Sequence, residues 1–466
     1  MNTQWKTYLL WFAHEHVDFR VAEIDSILDM LNINLRAQTK PEDHPYWIIE
    51  VPSESVVHEI ARRSVTLRFC LELWADGQGF EEFHDNLRLY SGENIKVHIN
   101  PDKSFRITVE TFCKHFTQQQ KVEKIESFNY LPLDGPVNLK NPDTSLFYIE
   151  YYGLDPNAIP ENPCGLFFGR WITDGQRELI QKLSLKTRKF IGNTSMDPQL
   201  SLIMANQAQV KEGDMVLDPF VGTGSLLVAA SQFGGYTLGT DIDYLMLHGR
   251  TRPSRIKQKA RSEGECVAMN INQYGKGSHY IDVLVADFSL PLWKSDMRVD
   301  SIITDPPYGI REATERLGSI KINPVIEGHQ VATHIPSKVE YGLPQLYRDL
   351  LSFSAKHLKI NGRLVCWFPV FREHYSEDQL PQHSCLSLIA NSEQVLSNYT
   401  SRRLLTYRKL REPQDSDNTF IMNVTDFREK YFGLRDESRK ERRMKRADER
   451  LRNKTMWELS KKDTAR

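Results

Sequence analysis

Asp300-Ser301-Ile302-Ile303-Thr304 followed by Asp305-Pro306-Pro307-Tyr308-Gly309 is the stretch whose reading decides the fold. A β-branched run that ends at Pro and Gly reads as a buried strand that stops abruptly. Proline has a fixed φ and no N–H to give to a ladder, so the chain after Asp305 leaves the sheet with free carbonyls. A carboxylate (Asp305), a bare carbonyl (Pro306) and an aromatic face (Tyr308) then converge. Such a set suits a planar ring bearing an amine: two acceptors for its N–H groups and a surface for its face. The same five residues also read as an ordinary strand-ending turn with a surface tyrosine, and the neighbouring sequence has to choose.

Upstream, Met215-Val216-Leu217-Asp218 is a second apolar strand, running through Pro219-Phe220 into Val221-Gly222-Thr223-Gly224-Ser225 and a helical run to Gln232. Glycines between a strand and a helix let backbone approach a ligand, and the helix N-terminus favours a carboxylate there. A third strand from Tyr236 ends in Asp241-Ile242-Asp243, and a fourth, Tyr280 to Ala286, ends in Asp287. Doubly wound sheets place an acid for ribose hydroxyls at the tip of the second strand; Asp241 fits, with Asp243 as the alternative. Four strands that each finish in Asp mark a ligand crevice at their carboxyl ends, since a purely structural sheet has no use for that regularity.

The order DPFVGTG, DID, AD, DPPYG resembles the S-adenosylmethionine-dependent amino-methyltransferases that act on an exocyclic nitrogen. With Gly192-Asn193-Thr194-Ser195-Met196-Asp197-Pro198 ahead of it, the chain is similar to the THUMP-containing tRNA guanine-10 N2-methyltransferases, catalytic subunit. The resemblance spans about residues 1 to 430, and the order of motifs is more specific than any single piece. It implies an α/β, Rossmann-like class I methyltransferase sheet of strand order 3-2-1-4-5-7-6, preceded by an α+β ferredoxin-like domain and a THUMP domain. It implies S-adenosyl-L-methionine as cofactor, with Asp218, Gly222 and Gly224 at its methionine end, Asp241 at the ribose and Asp287 at the adenine amine. Thr194 and Ser195 either hydrogen-bond the cofactor's carboxylate or cap the helix from Gln199. Asp305, Pro306 and Tyr308 become the residues that seat a flipped guanine. A small zinc-binding activator subunit would add a strand along Tyr280 to Ala286, making a heterodimer that binds tRNA. Two rivals stay open: a DNA adenine or protein glutamine methyltransferase with the same turn, and a catalytically silent RNA-binding scaffold.

The expected organisation is a ferredoxin-like domain over 1–64, a THUMP domain over 65–152, a linker over 153–190, the methyltransferase domain over 191–427 and a basic charged tail over 428–466. Within it, Ile95 to Ile99 is expected as a strand, and Pro156, Pro160 and Pro163 mark the linker. The net charge of −1 gives no hint of nucleic acid. Residues 1–150 hold 15 Lys and Arg against 23 Asp and Glu, so any RNA surface there must be a local patch. Denser charge appears at Arg250, Arg252, Arg255, Lys257, Lys259 and Arg261, which are candidates for phosphate contacts. Six cysteines without a CxxC pair argue against a metal site in this chain and for a reducing compartment, and no apolar run suits a secretory signal or a membrane span. The expectation is a cytoplasmic protein. Arg311 and Glu312 follow the motif and would lie nearest the substrate ring.

Overall fold

The computed structural model describes residues 5–37, 40, 44–90, 92–255, 258–310, 312–319, 336–414, 417, 419–420 and 427–433. Lys257, Arg311 and all of the tail beyond 433 lie outside the described residues.

The amino-terminal part folds around one sheet. Its elements are β1 (Lys6–Phe12), α1 (Arg20–Met30), β2 (Arg36–Ala37), β3 (Tyr46–Val51), α2 (Glu54–Ala61), β4 (Leu67–Gly77), α3 (Phe80–Leu89), α4 (Gly92–His98), β5 (Phe105–Phe112), α5 (Gln118–Glu126), β6 (Thr144–Tyr151) and β7 (Gly165–Asp174). The strand order is β2-β3-β1-β4-β7-β6-β5. Alternation in β1 divides its side chains between two cores: Tyr8, Leu10 and Phe12 on one face, Leu9 and Trp11 on the other. Two expectations are corrected here. Ile95 to His98 is helical, and the buried pair Ile95 and Ile99 is spaced by four residues and not by two. The expected 153–190 linker contains β7, which pairs on both sides, with β4 and with β6. Phe167 and Phe168 enter opposite cores, a double burial that hides strand periodicity. The sheet also runs unbroken through residue 65, since β4 pairs with β1 as well as β7.

The second part contains α6 (Arg177–Lys182), α7 (Pro198–Gln207), β8 (Met215–Asp218), α8 (Ser225–Gln232), β9 (Tyr236–Asp241), α9 (Tyr244–Leu247), α10 (Val267–Gln273), β10 (Tyr280–Val285), β11 (Val299–Thr304), β12 (Glu315–Leu317), β13 (Lys338–Glu340), α11 (Leu343–His357), β14 (Leu358–Phe371), β15 (Gln382–His383), β16 (Leu386–Val395), β17 (Thr400–Lys409), β18 (Thr419–Phe420) and α12 (Phe427–Gly433). Its nine-stranded sheet has the order β10-β9-β8-β11-β14-β17-β16-β15-β18, so the first seven strands read 3-2-1-4-5-7-6 as expected. β8 to β11 and β14 are parallel, and β17 runs against both β14 and β16. Val216, Ile303 and Val365 point into the core beneath α7 and α8; Leu217, Ile302 and Leu364 point into the one beneath α11.

The two parts are joined by buried polar contacts. Glu23 of α1, fully buried, accepts hydrogen bonds from the Ser64 and Thr66 hydroxyls, from the backbone N–H groups of Val65 and Thr66, and from Asn206 of α7. Arg363 of β14 reaches back to Asp29 (2.5 Å), Ser26 and the Gln207 carbonyl. Phe19 and Val65 belong to the same apolar core as α7 and α8.

Candidate active site

Parallel strands bring their carboxyl ends to one edge, and the four aspartates read from the sequence arrive there together. Asp218 ends β8 and Asp241 ends β9; Asp287 follows β10 by two residues, and Asp305 follows β11 directly. All four line one cavity of about 1190 Å³, along with Thr194, Gly222, Pro306 and Tyr308.

The glycine turn divides its labour. Gly222 has φ +47°, its N–H donates to Asp241 (2.9 Å), and a Cβ built there would meet no atom within 4 Å, so its bare face opens to the cavity. Gly224 is a correction: it does not line the cavity. It sits at φ +75° as the residue before α8, and a Cβ would come within 2.4 Å of Val267. Close packing of α8 on α10 is what demands glycine there. Asp241 is held by Gly222 and by the Asp243 N–H, while Asp243 caps α9 through Met246. Burial pushes the Asp241 carboxyl above its ordinary range.

Asp218 is almost fully buried, and burial pushes its carboxyl up to about 7 against the opposing pull of the Thr304 hydroxyl and the Phe220 N–H. Both donors land on one oxygen, Oδ1. A buried acid with a raised value favours the protonated fold: its contribution is full below the unfolded value and is lost as pH rises through about 7. Asp218→Asn keeps an Oδ1 acceptor and removes the charge. The expected result is a higher melting temperature than wild type at pH 8 and little difference at pH 4, followed by scanning calorimetry on the unliganded protein.

Asp305 is a quarter exposed, towards the cavity, and both its oxygens are engaged: Oδ1 by the Tyr308 hydroxyl, Oδ2 by Arg402 of β17 at 3.1 Å. Burial raises this carboxyl, and the Arg402 guanidinium and Tyr308 hydroxyl pull in the opposite direction. Tyr308 is therefore not a loose surface ring; it is wedged between the two cores, with its hydroxyl turned onto its own motif. Arg402 went unread in the sequence. The signal for it is its place on the same face as the buried Leu404 and Thr406 in a strand that carries four basic residues in all.

Thr194 donates to Glu312 (2.6 Å), tying the segment before α7 to the one after the motif. The cap of α7 is neither Thr194 nor Ser195 but Asp197, which accepts from Gln199 and Leu200. Ser195 bonds Gly192 and Thr223. Asp287 holds Ser289 on one oxygen and the Leu317 N–H of β12 on the other. In the basic insertion, Arg255 donates to the carbonyls of Leu185, Arg188 and Lys189, and Arg261 to those of Ile191 and Thr251. Those two arginines staple loops. Phe427 and Tyr431 of α12 also line the cavity, so the start of the expected tail belongs to its wall. Among the described residues no group of His, Cys, Asp and Glu could hold a metal ion.

Two family models match the chain: the Tmrp11 THUMP N-terminal domain over residues 6–177 and the RMKL-like methyltransferase domain over residues 186–321. The chain is 45% identical over 435 residues to the tRNA (guanine(10)-N(2))-methyltransferase TRMT11 of Gallus gallus, covering 91% of this chain and 94% of that protein. It is 46% identical over 435 residues to the protein of the same name from Bos taurus, covering 91% and 95%. Among solved structures, TrmN from Thermus thermophilus aligns at a TM-score of 0.42 and 18% identity over 87% of this chain and all of that one.

Proposed function

This chain belongs to the TRMT11 family of tRNA (guanine(10)-N(2))-methyltransferases, and on that premise we propose that the cavity at the tips of β8 to β11 is where it methylates the exocyclic N2 of a guanosine in tRNA. One observation carries the assignment to this cavity: the Asp305 carboxylate and the glycine turn at Gly222 face the same space.

The lining suits S-adenosyl-L-methionine. Ribose hydroxyls, the adenine amine and the α-ammonium are all donors, and the wall offers acceptors in Asp218, Asp241 and Asp287, with the open backbone of Gly222 beside them. In this reading Thr194 would meet the methionine end, Asp241 the ribose and Asp287 the adenine. When bound, the cofactor would supply a methyl on a sulfonium sulfur, to be taken by the N2 lone pair with the S–C pair left on sulfur and the N2 proton released to water. The chain's own residues supply orientation. The guanine amine is a poor nucleophile because its lone pair is spread into the ring. Asp305 and the Pro306 carbonyl, by accepting its two hydrogens, hold the lone pair out of that conjugation and aim it. The Tyr308 hydroxyl gives up its place on Asp305 as the base enters, and its ring lies against the flipped guanine. The test is nucleoside mass spectrometry of tRNA incubated with methyl-labelled cofactor. Label in N2-methylguanosine is expected, and label confined to another nucleoside would overturn the assignment.

For the partner, the support is the free edge of the sheet. Among the described residues β10 pairs only with β9, and Ile281, Leu284 and Val285 are each about two-fifths exposed, with Leu292 more exposed beyond them. An apolar open edge of this kind calls for a covering strand. We assign it to the small zinc-binding activator subunit, in a heterodimer working in the cytoplasm, where the six free cysteines would stay reduced. The double variant Leu284→Lys, Val285→Glu is expected to lose co-purification with the activator while keeping the circular dichroism of wild type. Undiminished co-purification would place the partner elsewhere.

A further inference from the structure

The Asp305 carboxylate is not held by its own motif alone. Arg402, its partner across the cavity floor, has little freedom of its own. Its guanidinium lies 3.9 Å from the centre of the buried Trp367 ring, its Nε donates to Gln394 (2.7 Å), and one terminal nitrogen rests on the Met196 sulfur. A planar guanidinium stacked on an aromatic face and tied at its edge is well suited to fix a carboxylate in one place.

What stands behind that shelf comes from the other part of the molecule. Phe19, in the turn before α1, packs against Trp367 with ring centres 5.8 Å apart. One residue earlier, the Asp18 carboxylate accepts the N–H of Glu393, the neighbour of the Gln394 that holds Arg402. Both contacts are long-range in sequence and tie the amino-terminal part to the strands that carry Arg402 and its neighbours. An amino-terminal part that served only to grip RNA would need neither.

We propose that Arg402 is the positioning residue for Asp305, and that the amino-terminal part supports it through Phe19 and Asp18, so that seating of this part on the methyltransferase sheet sets the aim of the catalytic carboxylate. This rests on Asp305 being the group that receives the guanine amine. Two arms of the support converge: Phe19 under the Trp367 ring, and Asp18 on the strand end that carries Gln394. The groups facing Asp305 are Arg402 from β17, Tyr308 from its own turn, Asp218 from β8, Tyr347 from α11 and Cys366 from β14. His16, whose imidazole is pushed below its ordinary range by burial, faces Arg402 from the amino-terminal side. Of the groups facing Asp305 Arg402 is the one that pulls its carboxyl down by charge, so its loss moves the Asp305 carboxyl further upward.

The experiment compares wild type, Arg402→Gln, Arg402→Lys, Phe19→Ala, Asp18→Asn and the double variant Phe19→Ala, Arg402→Gln, all as the activator complex with full-length tRNA. Methyl transfer is measured from pH 5 to 9, and tRNA and cofactor binding are measured separately. Arg402→Gln is expected to lower kcat about 100-fold at pH 7 and to move the acidic limb of the rate profile to higher pH. Arg402→Lys restores part of both. Phe19→Ala and Asp18→Asn are expected to produce the same displacement at smaller amplitude, with tRNA and cofactor affinities unchanged. In the double variant Phe19→Ala adds little to Arg402→Gln, since both act on one contact. Uniform loss at every pH, or full multiplicativity of the two single effects, overturns the proposal. If Phe19→Ala fails to fold, Asp18→Asn and Arg402→Lys decide it by the same limb. Asp305→Asn tells the two failures apart: normal turnover in that variant removes Asp305 itself from the reaction, whereas a dead Asp305→Asn with an unshifted Arg402→Gln overturns only the support from Arg402.

Discussion

Asp305→Asn is expected to slow methyl transfer by a factor of about 1000 while S-adenosyl-L-methionine binds as well as it does to wild type. The substitution keeps shape and one acceptor oxygen, which serves Arg402 (3.1 Å in wild type), but turns the position now met by the Tyr308 hydroxyl into an N–H₂ that cannot accept the guanine amine. The carboxamide also has to accept the guanine amine with no negative charge, at the moment when positive charge grows on N2. Loss of charge and of one acceptor together remove an interaction strongest in the transition state, so the effect falls on kcat and not on affinity. Single-turnover rates with saturating cofactor, beside calorimetric titration of the cofactor, check this. A variant that turns over at the wild-type rate rules out Asp305 as the amine's acceptor.

The second large effect concerns the joint between the two parts. Glu23→Ala is expected to destabilise the folded chain by about 3 kcal/mol or more. The change leaves the N–H groups of Val65 and Thr66, the two hydroxyls and the Asn206 amide without their shared acceptor in a place water does not reach. Glu23→Gln is the milder comparison, because it keeps an acceptor while adding donors where only donors were met. Calorimetry is expected to show a lower melting temperature, and amide exchange to show faster opening at residues 64–67 and at the amino end of α1. If melting and exchange are unchanged, the joint is held by its apolar contacts and the carboxylate network contributes nothing. The network also bears on activity. A loosened joint is expected to lower the rate of methyl transfer without touching any residue of the cavity.

Much of the site was open to reading along the chain. Each of Asp218, Asp241, Asp287 and Asp305 sits at the end of a short run of β-branched and apolar residues, and parallel pairing has no choice but to bring such ends together. The 3-2-1-4-5-7-6 order followed from resemblance, and the pairing reproduces it. Local patterns failed where both faces of an element are buried or where partners come from far away. β7 hid in a segment punctuated by prolines because Phe167 and Phe168 serve opposite cores. Gly224 passed for a ligand-facing glycine, although the neighbour that requires it, Val267, lies more than forty positions on and only folding brings it near.

By itself, then, the order of residues determined the strands, the carboxylates at their tips and the turn that follows Asp305, since these depend on side chains within a few positions of one another. Tertiary structure alone decided what holds those groups. Arg402 reaches Asp305 across 97 positions of chain, Asn206 reaches Glu23 across 183, and Arg363 reaches Asp29 across 334. Hydrogen bonds and ion pairs act over a few ångströms and carry no trace in local periodicity, so the partner of a buried charge becomes known only once the sheets have closed around it.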